Sequence, residues 1–158
     1  MRYFLSLGSN LGDRKKNLAC ALTLLKKKGV KILKTSSLYE TQPVGFRSES
    51  WFYNQVAEVI VDIDPLAFLT LIKRIEHKMG RENRTQKVPR IIDIDILLAE
   101  QTILRTKELE IPHPRMEKRN FVLLPFIEIS PETVHPKLKK SIKDLWKKSK
   151  DRSMVIRL

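Results

Sequence analysis

The segment "RIIDIDILLAE" (residues 90–100) combines an apolar strand pattern with two carboxylates two positions apart. Alternate side chains of a β-strand point to opposite faces of the sheet, so the isoleucines share one face and Asp93 and Asp95 share the other. Two like charges about 7 Å apart repel one another unless a cation or hydrogen bonds compensate. The segment therefore predicts a strand that packs through its isoleucines and presents a carboxylate pair on its opposite face.

Strand and helix patterns elsewhere place this segment within a fold. The elements before it are a strand at "RYFLSLG" (2–8), a helix from Asn10 to Lys28 capped by Asn10 or Asp13, strands at "VKILKTSSLYET" (30–41) and "WFYNQVAEVIVDI" (51–63), and a second helix. That helix is bounded by Asp64 as N-cap, Pro65 in its first turn and Gly80 after its end. With "IIDIDILL" as the last strand, the order is βαββαβ, which predicts a ferredoxin-like α+β sandwich. A short helix near 117–128 and a C-terminal extension follow.

Length and composition favour one compact domain. The 158 residues are 42% hydrophobic, which suffices for one core, and we expect a single domain over 1–158. No apolar run approaches the ~20 residues of a membrane span, and "MRYFLSLGSN" lacks the features of a signal peptide. Cys20, the only cysteine, cannot form an intrachain disulfide. We therefore expect a cytoplasmic protein with no membrane partner, and we predict a monomer.

The strongest compositional feature is the formal net charge of +13. Such an excess suits nucleic acid, an anionic surface or a polyanionic small substrate, and it does not choose among them. Much of it lies in the basic C-terminal segment 137–158, for which a solvated lysine-rich surface is an equally good interpretation.

The sequence before the carboxylate pair is rich in cations. The stretch "GRENRTQKVPR" (80–90) contains Arg81, Arg84, Lys87 and Arg90. Carboxylate oxygens are the ligands that Mg²⁺ prefers, and guanidinium groups match phosphate oxygens, so a nucleotide phosphate chain would satisfy both groups. A P-loop is excluded because no glycine here begins G-x-x-x-x-G-K-[ST]. The simpler alternative is an edge strand whose acids face solvent and pair with lysines.

A second group of residues suits a flat organic ligand. Phe52 and Asn54 share a face of the third strand, where an aromatic plane beside an amide fits a heteroaromatic ring. The simpler alternative is that Phe52 and Tyr53 merely divide between the two sides of a half-buried strand. The stretch "PHPRMEKRNFVLLP" (112–125) adds His113, a neutral hydrogen-bond donor or an ordinary surface histidine, together with Arg115, Arg119 and Phe121. The pattern of a Ser-His-Asp, Cys-His or zinc site does not occur.

Six stretches carry a family resemblance. They are "LGSNLGDR" (7–14), "YETQPVG" (39–45), "FYNQVAEV" (52–59), "RIEHKMGR" (74–81), "PRIIDIDILL" (89–98) and "IPHPRMEKRNFVLLPFIEISPE" (111–132). In this order the chain resembles the 6-hydroxymethyl-7,8-dihydropterin pyrophosphokinase family of folate biosynthesis. The resemblance implies that ATP and the hydroxymethyl dihydropterin react to AMP and the pterin pyrophosphate, which dihydropteroate synthase then uses.

The resemblance also implies roles for individual residues around the phosphate chain. It makes Asp93 and Asp95 the ligands of two Mg²⁺ ions, with Asp95 as a proton acceptor. It places Arg81 and Arg90 where they neutralise the transferring group. The residues that it implies for ATP binding are Glu76, Arg81, Arg90, His113 and Arg119.

For the pterin, the resemblance implies a slot between Phe52 and Phe121. Asn54 would recognise the edge of the ring, and the backbone from Thr41 to Gly45, which includes Val44, would supply further hydrogen bonds. One departure from the family pattern is "KVPR" (87–90), which lacks the tryptophan and glycine found there. The manner in which this loop closes over substrate does not follow from the resemblance.

Two other classes of function fit part of the sequence. A basic ferredoxin-like module could bind RNA on its sheet, which predicts salt-dependent affinity and needs no aspartate pair. A Mg²⁺-dependent nuclease would use the aspartates and the basic surface without ATP. Neither alternative explains six stretches in family order, so we expect small-molecule substrates and no nucleic-acid partner.

Overall fold

The computed structural model describes residues 1–43, 51–80 and 90–158. Its strands are β1 (Arg2–Ser9), β2 (Lys31–Thr35), β3 (Tyr39–Thr41), β4 (Phe52–Ile60), β5 (Asp93–Ala99), β6 (Leu104–Arg105), β7 (Glu110–Ile111), β8 (Val134–His135), β9 (Lys140–Ser141) and β10 (Val155–Arg157). Its helices are α1 (Arg14–Lys27), α2 (Pro65–Lys78), α3 (Asn120–Ile129) and α4 (Ile142–Lys148), with a 3-10 turn at Met116–Lys118.

The main sheet has the strand order β10-β3-β4-β1-β5. A sixth strand, β2, also pairs with β4, on the same edge as β3. All of its pairings are antiparallel. The connection through α1 leads from β1 to β2, and β4 lies between these two strands. The connection through α2 leads from β4 to β5, which pairs with the other edge of β1. The predicted ferredoxin-like βαββαβ order is confirmed.

The predicted strand over 30–41 is two strands rather than one. At the interruption, Ser36 is buried and pairs twice with Val56: its N–H donates to the Val56 carbonyl at 2.9 Å and its hydroxyl accepts from the Val56 N–H at 3.0 Å. A register irregularity between Ile32 and Lys34 precedes it. Sequence propensity does not reveal this break, because the Ser36 hydroxyl takes the place of a backbone acceptor in the pairing with β4.

Helix boundaries follow the local capping signals. The Asp13 carboxylate accepts from the Lys16 N–H at 3.1 Å, and the Asp64 carboxylate accepts from the Ala67 N–H at 3.0 Å. Of the two predicted caps of α1, the structure uses Asp13. Gly80, predicted to follow α2, has a φ of 92°, a left-handed conformation that glycine adopts without strain.

The core is divided between the two faces of the sheet. The isoleucines of β5 pack with Phe68 and Ile72 of α2 and with the apolar side of α1. On the opposite face, Phe4 and Val56 pack against Phe126 of α3, and the Phe4 and Phe126 ring centroids are 4.5 Å apart. Because α3 covers only part of this second face, the rest of the face can form the floor of a cavity.

The basic C-terminal segment 137–158 is more ordered than a solvated tail. Ile142 and Leu145 of α4 are buried beside α3, and β10 extends the main sheet by pairing with β3. Its lysines nevertheless lie mostly at the surface. Within the three described ranges, no helix has the length and apolar character needed to cross a membrane.

Glu128, near the end of α3, holds this helix to the β2–β3 region. Its carboxylate accepts from the Tyr39 hydroxyl at 2.7 Å and from the Ser37 N–H at 2.8 Å. Burial raises the pKa of Glu128, but these hydrogen bonds outweigh burial, and the pKa lies below its ordinary value. The ionised form therefore stabilises the fold above the unfolded-state pKa of about 4.3, and this stabilisation disappears as the pH falls through the folded-state pKa.

We predict that Glu128→Gln lowers the melting temperature near pH 7 by about 2–4 °C, the effect of roughly 1 kcal/mol. The difference from wild type should shrink below about pH 4, where the Glu128 carboxyl of the wild type becomes protonated in both the folded and the unfolded state. Thermal melts from pH 3 to 7 would measure it, with Glu132→Gln as a control because Glu132 is exposed. An equal deficit at pH 3 and pH 7 would contradict the electrostatic origin.

Candidate active site

Two rows of paired residues form the floor of a cavity on the α3 side of the sheet. The register aligns Asn54, Gly8 and Asp93 across β4, β1 and β5, and it aligns Ser6 with Asp95 in the next row. The small residues Ser6 and Gly8 on the central strand β1 leave space between the Asn54 amide and the carboxylates of Asp93 and Asp95. The cavity above them measures about 260 Å³.

The cavity brings together most of the residues predicted from the sequence. Those that line it are Thr41, Phe52, Asn54, Arg90, Asp93, Asp95, His113, Arg119 and Phe121. They come from β3, β4, β5, the segment after β7 and the start of α3, so no short stretch of the chain contains the site. Val44 and Arg81, together with Arg84 and Lys87 of the basic loop, lie outside the described residues.

Arg90 links the carboxylate side of the cavity to its aromatic side. Its guanidinium donates to the Asp93 carboxylate at 3.1 Å and lies 5.5 Å from the centroid of the Phe52 ring. Two backbone contacts with Asn10 fix its position: the Arg90 N–H donates to the Asn10 side chain at 2.8 Å, and the Asn10 N–H donates to the Arg90 carbonyl at 3.1 Å. A guanidinium held in this place can bind an anion that enters between Phe52 and Asp93.

Asp95 is the most strongly perturbed carboxyl in the cavity. Its pKa is raised to about 7; burial is the largest cause, and the negative charges of Asp93 and Glu76 also contribute. A bound cation would offset both causes, because it attracts the ionised form and replaces lost hydration. The environment of Asp95 therefore suits a metal ligand or a group that exchanges a proton near neutral pH.

Two carboxylates are enough for one kind of metal site. The described part of the chain contains no cluster of three or more His, Cys, Asp or Glu side chains that could hold a metal by itself. Mg²⁺ is commonly held by one or two carboxylates together with water and substrate phosphates. The donor set of Asp93 and Asp95 fits Mg²⁺ bound with a nucleotide and does not fit a zinc site.

Glu76 is placed differently from the other predicted ATP residues. It belongs to α2, is 2% exposed, and its carboxylate accepts from the Ile94 N–H of β5 at 2.9 Å. Its second oxygen lies 3.2 Å from the Lys73 ammonium. Among the described residues, those that line the cavity do not include Glu76; its influence there is electrostatic, through the pKa of Asp95. Direct contact of Glu76 with ATP stays a prediction.

His113 and Arg119 supply donors on the opposite wall. Burial and the nearby positive charge of Arg119 lower the pKa of His113 to about 4, so its ring is neutral at pH 7. Its Nδ1 accepts from the Arg115 N–H at 3.3 Å, which assigns the proton to Nε2. Burial also lowers the pKa of Arg119, although Asp95 acts in the opposite direction; an arginine keeps its charge in proteins. This wall therefore offers one neutral donor and one cation.

The amide wall is held rigidly. The Asn54 side-chain amide donates a short hydrogen bond to the Thr41 hydroxyl, and both residues are buried. This contact fixes the orientation of the amide, so its carbonyl oxygen is the acceptor left for other partners. A Cβ added to Gly8 would lie 2.7 Å from that oxygen and 3.5 Å from the Phe52 ring. Only glycine fits beside Asn54 without displacement.

Several lining residues were not predicted as site residues from the sequence. They are Ser6, Gly8 and Pro114. The alternation in "RYFLSLG" contained a signal for two of them, because Ser6 and Gly8 alternate with the apolar Tyr3, Leu5 and Leu7 and must face the other side of the sheet. Gln42 and Arg115 also line the cavity, and both belong to stretches that the sequence analysis named without giving their side chains a role.

Comparison with known proteins connects this geometry to a family. Residues 4–131 match the family described as 7,8-dihydro-6-hydroxymethylpterin-pyrophosphokinase (HPPK). A protein of Aquifex aeolicus named 2-amino-4-hydroxy-6-hydroxymethyldihydropteridine pyrophosphokinase is 40% identical over 89% of this chain and 88% of its own length. The protein of the same name from Bacillus subtilis is 41% identical over 80% of this chain and 76% of its own length.

Other relatives are much longer. A protein of Pneumocystis carinii named "Folic acid synthesis protein fol1" is 41% identical over 94% of this chain, which spans 20% of that relative. Among solved structures, a triple mutant of Plasmodium falciparum HPPK-DHPS superposes with a TM-score of 0.75 at 21% identity, over 93% of this chain and 43% of that chain. At this identity, the structural similarity shows the shared fold alone.

We predict that Gly8→Ala weakens the binding of 6-hydroxymethylpterin by about tenfold or more, because relieving the contact with Asn54 costs roughly 1–3 kcal/mol. Isothermal titration would measure the dissociation constant. Gly29→Ala is the matched control: nothing lies within 4 Å of its added Cβ, and its positive φ makes alanine strained there. It should lower the melting temperature and leave ligand affinity unchanged. Equal affinities of the Gly8 variant and wild type would show that this wall does not contact the ligand.

Proposed function

Because the chain belongs to the 7,8-dihydro-6-hydroxymethylpterin-pyrophosphokinase family, we propose that it transfers pyrophosphate from ATP to the hydroxymethyl group of 6-hydroxymethyl-7,8-dihydropterin. The products are AMP and the pterin pyrophosphate, an intermediate of tetrahydrofolate biosynthesis. The observation that carries the proposal is the meeting of a carboxylate pair, arginines and an aromatic–amide wall in one cavity.

The pterin lies in the part of the cavity formed by β3, β4 and α3. Phe52 and Phe121 stack against its ring, and the fixed carbonyl of Asn54 accepts from the N–H groups of its edge. Thr41 holds that amide in place, and the backbone near Val44 adds hydrogen bonds. A ligand with both a flat aromatic ring and a donor edge matches this wall better than an aliphatic substrate does.

The triphosphate of ATP lies beside β5, and this part of the cavity supplies both signs of charge. Asp93 and Asp95 would hold two Mg²⁺ ions, which would supply charge neutralisation and orientation of the phosphates. Arg90 and Arg119 bind phosphate oxygens, and His113 donates one neutral hydrogen bond from Nε2. Arg81 and Glu76 complete the proposed ATP contacts.

In the transfer step, a bond forms between the pterin hydroxyl oxygen and the β-phosphorus of ATP. The bond from the β-phosphorus to the oxygen that bridges it to the α-phosphorus breaks, and AMP leaves with that oxygen. Asp95 accepts the hydroxyl proton. Arg81 and Arg90 stabilise the negative charge of the transferring group. Most of the acceleration comes from positioning and charge stabilisation.

We further propose that residues 1–158 act as one domain, since β10 near the end of the chain pairs with β3 of the main sheet. We also propose a monomer without a nucleic-acid or membrane partner. A cytoplasmic location agrees with the free, exposed Cys20, because reducing compartments keep thiols unpaired.

We predict that Asp95→Asn and Asp93→Asn each reduce kcat by at least about 100-fold, because each removes a negative charge that would hold the metal and, through the metal, the phosphates. AMP formation from ATP and the hydroxymethyl dihydropterin, followed by chromatography over a Mg²⁺ titration, would measure this. Asp62→Asn, an exposed carboxylate on the loop before α2, is the charge-matched control. AMP formation at the wild-type rate in the Asp95 variant would overturn the assigned role. Metal-dependent cleavage of nucleic acid without ATP would favour a nuclease instead.

A further inference from the structure

Residues 149–158, here called the C-terminal strap, lie beyond residues 4–131 that match the family. The strap contacts two walls of the cavity that are far apart in sequence. We propose that Asp151 of this strap is a positioning residue for the pyrophosphoryl transfer, holding the Arg119–Phe121 segment in register with the β3 wall. This inference rests on the proposed function, since it concerns how the same cavity is held in its working shape.

The first contact is at the start of α3. The Asp151 carboxylate accepts from the Asn120 N–H at 2.8 Å, and the Asp151 carbonyl accepts from the Asn120 side-chain amide at 3.1 Å. Asn120 lies between Arg119 and Phe121, which both line the cavity. The strap therefore binds the backbone at Asn120, between the cation Arg119 and the aromatic ring of Phe121.

Helix α3 needs this contact because its own cap is weak. Arg119 occupies the N-cap position and makes no side-chain capping hydrogen bond. Pro125 lies inside the helix and cannot donate to the Phe121 carbonyl, so the first turn also lacks one internal hydrogen bond. A carboxylate at this end satisfies a free N–H and matches the positive end of the helix dipole.

The Asp151 side chain is held in place by hydrogen bonds of its own. Its other oxygen accepts from the Ser153 N–H at 2.8 Å, so both carboxylate oxygens are engaged. Burial raises its pKa, but the hydrogen bonds from Asn120 and Ser153 outweigh burial and keep the pKa below its ordinary value. Asp151 is therefore ionised at neutral pH and held in one orientation.

The second contact of the strap is with the opposite wall. Val155 pairs with Thr41 in the β10–β3 ladder. One step further, the Gln42 N–H donates to the Met154 carbonyl at 3.1 Å, and the Met154 N–H donates to the Gln42 side chain at 3.4 Å. Thr41 and Gln42 line the cavity. Because only a few residues separate Asp151 from this ladder, the strap fixes the distance between the two walls.

The test is steady-state kinetics of Asp151→Ala, in which both substrates are varied at a temperature where the variant is fully folded. A positioning role predicts that KM for the pterin and for ATP rises by about tenfold, since Phe121 and Arg119 lose their alignment. A merely structural role would lower the melting temperature and leave both KM values unchanged. Asp144→Ala, an exposed acid of α4 in the same basic segment, is the control and should change neither KM.

A second substitution removes the contact from the other side. Asn120→Pro removes both the N–H and the side-chain amide that donate to Asp151. Proline suits the first position of a helix, and the preceding Arg119 already has the extended conformation (φ −128°, ψ 104°) that a following proline favours. In the Asn120→Pro background, Asp151→Ala should cause little further rise in KM, because the contact is already lost. Full additivity of the two KM effects would overturn the proposed contact.

Hydrogen exchange separates this inference from the proposed function. Asp151→Ala should accelerate amide exchange in the first turn of α3 relative to wild type, whatever the enzyme catalyses. If wild type forms no AMP, the proposed function fails by itself. Unchanged exchange in α3, or unchanged KM values with an active wild type, would overturn the positioning role of Asp151.

Discussion

The antiparallel pairing of β1 with both β4 and β5 is the constraint on which the rest of the structure depends. A strand has a period of two, so this register decides at once which side chains enter the core and which enter the cavity. It sets Gly8 between Asn54 and Asp93. A slip of one residue would bury the carboxylates among the helices and expose the isoleucines, so folding and site assembly are enforced by the same hydrophobic pattern.

The site keeps charges in places where folding alone would not favour them. Asp95 is half-buried beside two other acids; loss of hydration and then the charges of these neighbours raise its pKa to about 7. Arg90 compensates Asp93 directly, whereas Asp95 lies within the fields of Lys73 and Arg119. A bound cation would lower the pKa of Asp95, in keeping with the metal site proposed for the two aspartates. Metal and polyphosphate would together neutralise charges of both signs.

The parts of the structure that depend on local signals were predictable, and those that depend on pairing were not. Asp64, Pro65 and Gly80 act within a few residues, so they mark the ends of α2 reliably. The division of β2 from β3 at Ser36 and the addition of β10 depend on partners far along the chain. For the site, periodicity joined Asp93 with Asp95 and Phe52 with Asn54, and the family resemblance assigned roles to the other predicted residues. Strand pairing brings Gln42 to the cavity, whereas Glu76 lies on α2 behind β5 and acts on Asp95 through its charge.

The packing of the second sheet face also bears on the choice between a small substrate and RNA. Ferredoxin-like modules that bind RNA stack bases on an open sheet surface. Here Phe4 and Val56 on that face lie beneath Phe126 of α3, and Phe121 closes one side of what remains. Within the described residues, the uncovered part is a cavity of about 260 Å³, which favours a compact ligand over successive stacked bases. The helices after β5 thus convert an open sheet into a pocket, in keeping with the proposed small-molecule reaction.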